Sequence, residues 1–187
     1  MKEYKSRRNK VTLTDEGIVR KEFSDKACCE KEALALRALN GCCAPPMLNK
    51  GDAVIETGLV EGDLLLDRYL RAAPGEAEKL AKTLAQTITY IYDRLHSITF
   101  DENFRNYIVK GDGIVRVDFE EITEGTLEEW CAKVCAFAAL YEVRDRVKLA
   151  FIDTLCKNLP IDREAFGEEF KKEVKFLSDR WQAKTGS

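Results

Sequence analysis

Two carboxylates and one amide in this sequence stand at a spacing that can hold a metal ion and accept a proton. Asp101 and Asn106 form a D-x-x-x-x-N run, and Asp118 lies in Val117-Asp118-Phe119-Glu120. Between them, Tyr107-Ile108-Val109 and Ile114-Val115-Arg116-Val117 flank Lys110-Gly111-Asp112-Gly113, which predicts a β-hairpin. A tight hairpin brings its outer ends together. Asn106 and Asp118 are therefore expected to be neighbours, with Asp101 on the loop just before them. Oxygen ligands grouped this way suit Mg²⁺, a hard cation held by one or two protein groups together with substrate phosphates. A further carboxylate beside that shell can take the proton of an attacking hydroxyl.

The elements that must position these residues follow from periodicity and punctuation. Val11 to Thr14 and Ile18 to Phe23 read as two short strands about the turn Asp15-Glu16-Gly17. Ser24 or Asp25 then opens a helix to about Leu39, with Ala33, Leu36 and Leu39 at helical spacing and Leu34 on the flank. Asn40-Gly41 ends it, and Pro45-Pro46 forbids continuation. A second hairpin is expected from Met47-Leu48 to Ala53–Val60, about the turn Asn49-Lys50-Gly51-Asp52. Helices dominate after Glu61-Gly62-Asp63: Leu64 to Leu70, then Glu76 to about Ser97 beyond Ala73-Pro74-Gly75, and three more after residue 126. Those three carry Leu127 to Tyr141, Val147 to Leu155 and Phe166 to Trp181. No internal repeat or low-complexity segment is present.

This order resembles the protein-kinase-like fold, in the small-molecule branch of aminoglycoside and choline phosphotransferases. The resemblance implies an α+β, two-lobed chain with a reduced β-rich N-lobe (residues 1–60) and a mostly helical C-lobe (61–187). It implies Asp101 as catalytic base, Asn106 and Asp118 as metal ligands, and ATP and Mg²⁺ as cofactors. Asp118-Phe119-Glu120 and Leu95-His96 are similar to that branch. Lys21, ending Val19-Arg20-Lys21, resembles the strand lysine that neutralises the α- and β-phosphates. Glu32, with Glu30 as its rival, resembles the helix glutamate that pairs with it. Ala53 to Gly62 resembles the hinge between lobes, whose backbone at Gly58, Leu59 and Val60 would bind adenine.

The sequence also departs from that pattern. Gly17 is the only glycine before Gly41, so no glycine-rich loop is present to cover phosphates. Thr99 stands two before Asp101, where histidine is usual. The chain enters a helix soon after Gly125, with no protein-kinase activation segment. These points give two functional readings: a phosphotransferase acting on a hydroxyl-bearing small molecule, or a pseudokinase that binds nucleotide or a protein partner. Glu120, Glu121 and Glu124 could draw a cationic acceptor, or form a solvated loop.

Bulk properties narrow the classes. The chain has 187 residues, is 45% hydrophobic and 34% charged, and carries a formal net charge of -3, which fits a globular domain. The basic cluster Lys5, Arg7, Arg8 and Lys10 is too short for a general grip on nucleic acid and reads as a solvated edge or arm. A RIO-type, nucleic-acid-associated kinase is disfavoured for the same reason. No stretch approaches the ~20 apolar residues needed to span a bilayer, and the N-terminus lacks a signal-peptide pattern. The seven cysteines include no CxxC pair and read as small buried hydrophobes of a reducing compartment, predicting a cytoplasmic protein without zinc. His96, the only histidine, reads as structural.

Overall fold

Lys21 owes its place to the register of an antiparallel sheet. β2 (Lys10–Leu13), β3 (Ile18–Glu22) and β5 (Val54–Gly58) pair so that Lys21 stands between Val11 and Ile55. Side chains alternate across a strand, so Val11, Val19, Lys21, Ile55 and Thr57 share one face. Arg20 lies on the other, 2.8 Å from Glu56 across the strand pair. A slip of one residue would exchange the two sets. β1 (Lys2–Tyr4) and β4 (Met47–Lys50) complete a five-stranded sheet of order β1-β2-β3-β5-β4. The computed structural model describes residues 2–4 and 8–185, so Lys5 and Arg7 of the basic cluster lie outside the described residues.

Helix α1 (Lys26–Leu39) lies against this sheet. The Asp25 side chain accepts from the Ala27 amide as N-cap, and Asn40 ends the helix in the left-handed conformation, φ 46°. Its buried positions are Cys29, Glu32, Ala33, Ala35, Leu36 and Leu39. Glu32 is the one charged side chain on that face.

The chain then leaves the sheet through Gly62. There φ is +156°, and a Cβ would stand 2.2 Å from the Val109 carbonyl oxygen, so only glycine fits. β6 (Asp63–Leu64) pairs with β8 (Tyr107–Lys110), which pairs with β9 (Gly113–Arg116). The hairpin expected over 107–117 is thus present.

Helices α2 (Leu65–Arg71), α3 (Pro74–Leu95), α4 (Leu127–Leu140), α5 (Asp145–Asn158) and α6 (Arg163–Thr185) form the rest. Pro74 is not a separator but the first residue of α3, where its missing N–H costs nothing. His96 closes α3 in the left-handed conformation. Thr126 and Glu129 form a reciprocal capping box at the start of α4. Tyr69, Phe104 and Phe151 meet at ring centroids 5.1–5.4 Å apart. Phe104 belongs to the loop that carries Asp101, so this aromatic core anchors that loop. Cys131 and Cys135 on α4 and Cys156 on α5 converge, their sulfurs 3.7 and 3.9 Å apart along the chain of contacts. Cys29 is also buried, Cys28 and Cys43 half-buried, and Cys42 exposed.

The structure adds elements that the sequence reading lacks: β1, and the two-residue strands β6, β7 (Ile98–Thr99) and β10 (Ile122–Thr123). Asn49 and Lys50, expected in a turn, lie in β4. No helix among the described residues is long and apolar enough to cross a membrane.

Candidate active site

One cavity of about 730 Å³ runs between the sheet and the helical part. All eight residues singled out from the sequence line it: Lys21, Glu32, Gly58, Leu59, Val60, Asp101, Asn106 and Asp118. The volume lies within the range of small-molecule sites.

At its centre the Lys21 ammonium lies 2.7 Å from Glu32 Oε2, 2.9 Å from Asp118 Oδ1 and 3.2 Å from Glu120 Oε2. Glu32, not Glu30, is therefore the partner of Lys21; Glu30 is exposed and pairs with Lys50. Glu32 Oε2 also accepts from the Phe119 amide at 3.4 Å, which ties α1 to the segment after β9. Burial opposes the Lys21 charge, yet Glu32, Asp118 and Glu120 outweigh it and hold the ammonium pKa above its ordinary value. Burial pushes the Glu32 carboxyl up to about 7 against the pull of Lys21. Burial also opposes ionisation of Asp118, but Lys21 and then Arg116 hold its pKa below the ordinary value.

The hairpin brings Asn106 and Asp118 together, as its geometry requires. The Val117 amide donates to the Asn106 carbonyl at 2.9 Å. Asn106 Nδ2 donates to the Asp101 carbonyl at 3.0 Å, which leaves Asn106 Oδ1 as the atom able to ligate a cation. Asp101 itself is exposed, its Oδ1 accepting from the Asn103 amide at 3.1 Å. Carboxylate oxygens of Glu32, Asp118 and Glu120 lie within 4.8 Å of one another around a single ammonium. Three acidic groups to one basic group is a donor set that fits a hard divalent cation. Asp118, Glu120 and the Asn106 Oδ1 atom are the groups that could hold one.

At the hinge, two of the three backbone N–H groups are already committed. Gly58 donates to the Pro46 carbonyl at 3.0 Å and Leu59 to the Gly17 carbonyl at 3.2 Å. Val60 N–H has no such partner among the described residues, and Val60 lines the cavity with Val11, Val19, Ile55 and Ile108.

Several functional neighbours escaped the sequence reading. Arg116 is fully buried, 2.9 Å from Glu102 Oε1. Its guanidinium also donates to the carbonyls of Asp101 (2.9 Å) and Asp118 (2.8 Å), fastening the two loops together. Glu102 further accepts from the hydroxyls of Thr99 and Tyr107. Thr99, at the position where histidine is usual, thus supports the loop through Glu102. A signal existed: Arg116 shares a strand face with Ile114, and a charge on a buried face requires a buried partner.

Arg8 and Asn9 also escaped it. The segment between β1 and β2 was expected to be a solvated edge or arm. Instead Arg8 pairs with Glu121 and Asn9 Nδ2 donates to Glu120. The described part of this connection reaches the site where a glycine-rich loop would stand.

The sequence matches no protein-family model and no curated protein. Solved structures do match. The ternary complex of streptomycin, ATP and APH(2'')-IIa aligns over 99% of this chain and 88% of that one, with a TM-score of 0.67 and 11% identity. The ADP-bound aminoglycoside phosphotransferase APH(2'')-Ib aligns over 91% and 79%, with a TM-score of 0.64 and 10% identity. WbdD bound to a kinase inhibitor aligns over 86% of this chain and 46% of that one, with a TM-score of 0.52 and 16% identity. The chain has the α+β protein-kinase-like fold, in the form seen in aminoglycoside phosphotransferases. At these identities the likeness is one of fold.

Proposed function

We propose that this chain is an ATP- and Mg²⁺-dependent phosphotransferase that transfers the γ-phosphate to a hydroxyl of a small molecule. The observation that carries this reading is the Lys21–Glu32 pair in one cavity with Asp118, Asn106 and Asp101. Adenine would sit at the hinge by Val60, with its phosphates directed at Lys21. Asn106 and Asp118, with Glu120, would hold Mg²⁺, which supplies charge neutralisation to the triphosphate. Asp101 would accept the acceptor's hydroxyl proton as its oxygen bonds to the γ-phosphorus and ADP leaves. Phosphoryl transfer asks mainly for positioning and electrostatics, which a preformed site of this kind provides. The reading treats residues 1–60 and 61–187 as the two lobes and places the protein in the cytoplasm, in keeping with its unpaired cysteines.

A pseudokinase is the second reading. Lys21 is held by three carboxylates, and Glu120 and Glu121 are engaged by Asn9 and Arg8, so a nucleotide must displace existing contacts. Thermal-shift titration with ATP separates the readings. Stabilisation that requires Mg²⁺ is expected; at about 100 times Kd, binding contributes about 2.7 kcal/mol. Absence of any metal-dependent shift refutes the enzyme reading. Asp101→Ala should then slow ATP turnover by about 10²-fold or more, and equal rates would remove Asp101 as the base.

A further inference from the structure

Beyond the phosphates the cavity changes character. The acids that could draw a cationic acceptor are spoken for or elsewhere: Glu120 binds Lys21 and Asn9, Glu121 binds Arg8, and Glu124 does not line the cavity. Arg105 and Arg180 do line it, beside Asp101. Both are exposed, and neither has a carboxylate partner among the described residues. Arg105 stands on the Asp101 loop and Arg180 on α6, so two separate elements bring guanidiniums to this cavity.

Phe137 and Trp181 line the same cavity. The Trp181 ring is 6.2 Å from that of Tyr141 and 6.4 Å from that of Phe137. The Tyr141 hydroxyl accepts from the Phe104 amide and donates to Asn103 Oδ1, both at 3.2 Å, so the ring next to Trp181 is tied to the Asp101 loop. A flat apolar face binds the ring of a sugar or cyclic polyol, and free guanidiniums bind phosphate or carboxylate in bidentate fashion.

We propose that the acceptor is an anionic hydroxyl compound, a sugar or polyol bearing a phosphate or carboxylate, held by Arg105 and Arg180 with its ring against Trp181. This rests on the phosphotransferase reading of the same site. The acceptor hydroxyl forms its bond to the γ-phosphorus, the bond to the β,γ-bridging oxygen breaks, the proton passes to Asp101, and ADP departs.

Trp181 reports the test, since the only other tryptophan, Trp130, is fully buried. Protein loaded with Mg²⁺ and a non-hydrolysable ATP analogue is titrated with glucose 6-phosphate, gluconate and gentamicin while tryptophan emission is followed. The proposal expects one or both anions to change the emission and gentamicin to bind at least tenfold more weakly. The response to the phosphate against that to the carboxylate identifies the anion. Arg105→Ala and Arg180→Ala should each weaken anion binding about tenfold, with the thermal shift produced by ATP and Mg²⁺ unchanged. Tighter binding of gentamicin, no response to either anion, or unaltered anion binding in both variants overturns the proposal. So does a loss of ATP binding in the arginine variants, which would assign them to the nucleotide. The ATP shift is measured on the same samples. Its presence with no anion response sinks the acceptor class alone, and its absence sinks the phosphotransferase reading.

Discussion

Glu32 holds a proton in the folded chain over a range in which the unfolded chain has lost it. Its carboxyl is raised by burial from an ordinary value near 4.5 to about 7. The folded state therefore binds more protons between those values, and this contribution to stability is complete below pH 4.5 and lost as pH rises through 7. Asp118 acts oppositely: its pKa is lowered, so its contribution is lost as pH falls below its ordinary value near 3.8. The two windows do not overlap. Urea unfolding in the presence of a chelator should show a midpoint that declines from pH 4.5 to 7, and Glu32→Gln should flatten that decline. A flat wild-type profile would show that Glu32 is ionised throughout. Arg116 gives a second prediction at this scale. Arg116→Met leaves Glu102 fully buried and without its cation, which should cost about 3–5 kcal/mol in denaturant unfolding. Adding Glu102→Gln removes the stranded carboxyl and should recover at least half of that loss. No recovery would mean that Arg116 acts mainly through the Asp101 and Asp118 carbonyls.

Among the elements, the passage from β5 to β6 is where backbone shape decides most. Gly62 lies against the Val109 carbonyl, so an added methyl must push β6 from β8 or unseat the hairpin that carries Asn106 and Asp118. Gly62→Ala should therefore lower stability by about 2 kcal/mol, read from the urea midpoint, and weaken Mg²⁺-dependent ATP binding as well. The elements also explain what sequence could disclose. Lys21 and Glu32 are reached through the resemblance, which implies a lysine at a strand end and a glutamate on the next helix and leaves Glu30 as a rival, and the folded chain pairs Lys21 with Glu32. The 107–116 hairpin announces itself through Gly111 and Gly113. Arg8 and Asn9 do not, because their partners Glu121 and Glu120 lie more than a hundred residues away and no local pattern encodes such a pairing. β1 is hidden for a different reason. Lys2, Glu3 and Tyr4 show no apolar alternation, and the strand exists through backbone pairing with β2 at the sheet edge. The committed amides of Gly58 and Leu59 depend likewise on Pro46 and Gly17, which only the folded sheet brings near.

For the whole molecule, one cavity is lined both by the carboxylates around Lys21 and by Arg105, Arg180, Phe137 and Trp181. Beneath it, α1 and the sheet share one apolar core with the helices, and polar contacts also join the two sides: Lys21 with Asp118 and Glu120, Glu32 with the Phe119 amide, and Arg8 with Glu121. The deep helical core contains Cys131, Cys135 and Cys156, while Cys29 lies beneath the sheet. Free thiols react only when exposed, so these buried cysteines act as two separate clocks. Pulsed alkylation followed by mass spectrometry would time the opening of each half from one sample. If the halves open independently, Cys29 should be modified at lower denaturant than the α4–α5 trio; a nucleotide that spans the cleft should bring the two clocks into step.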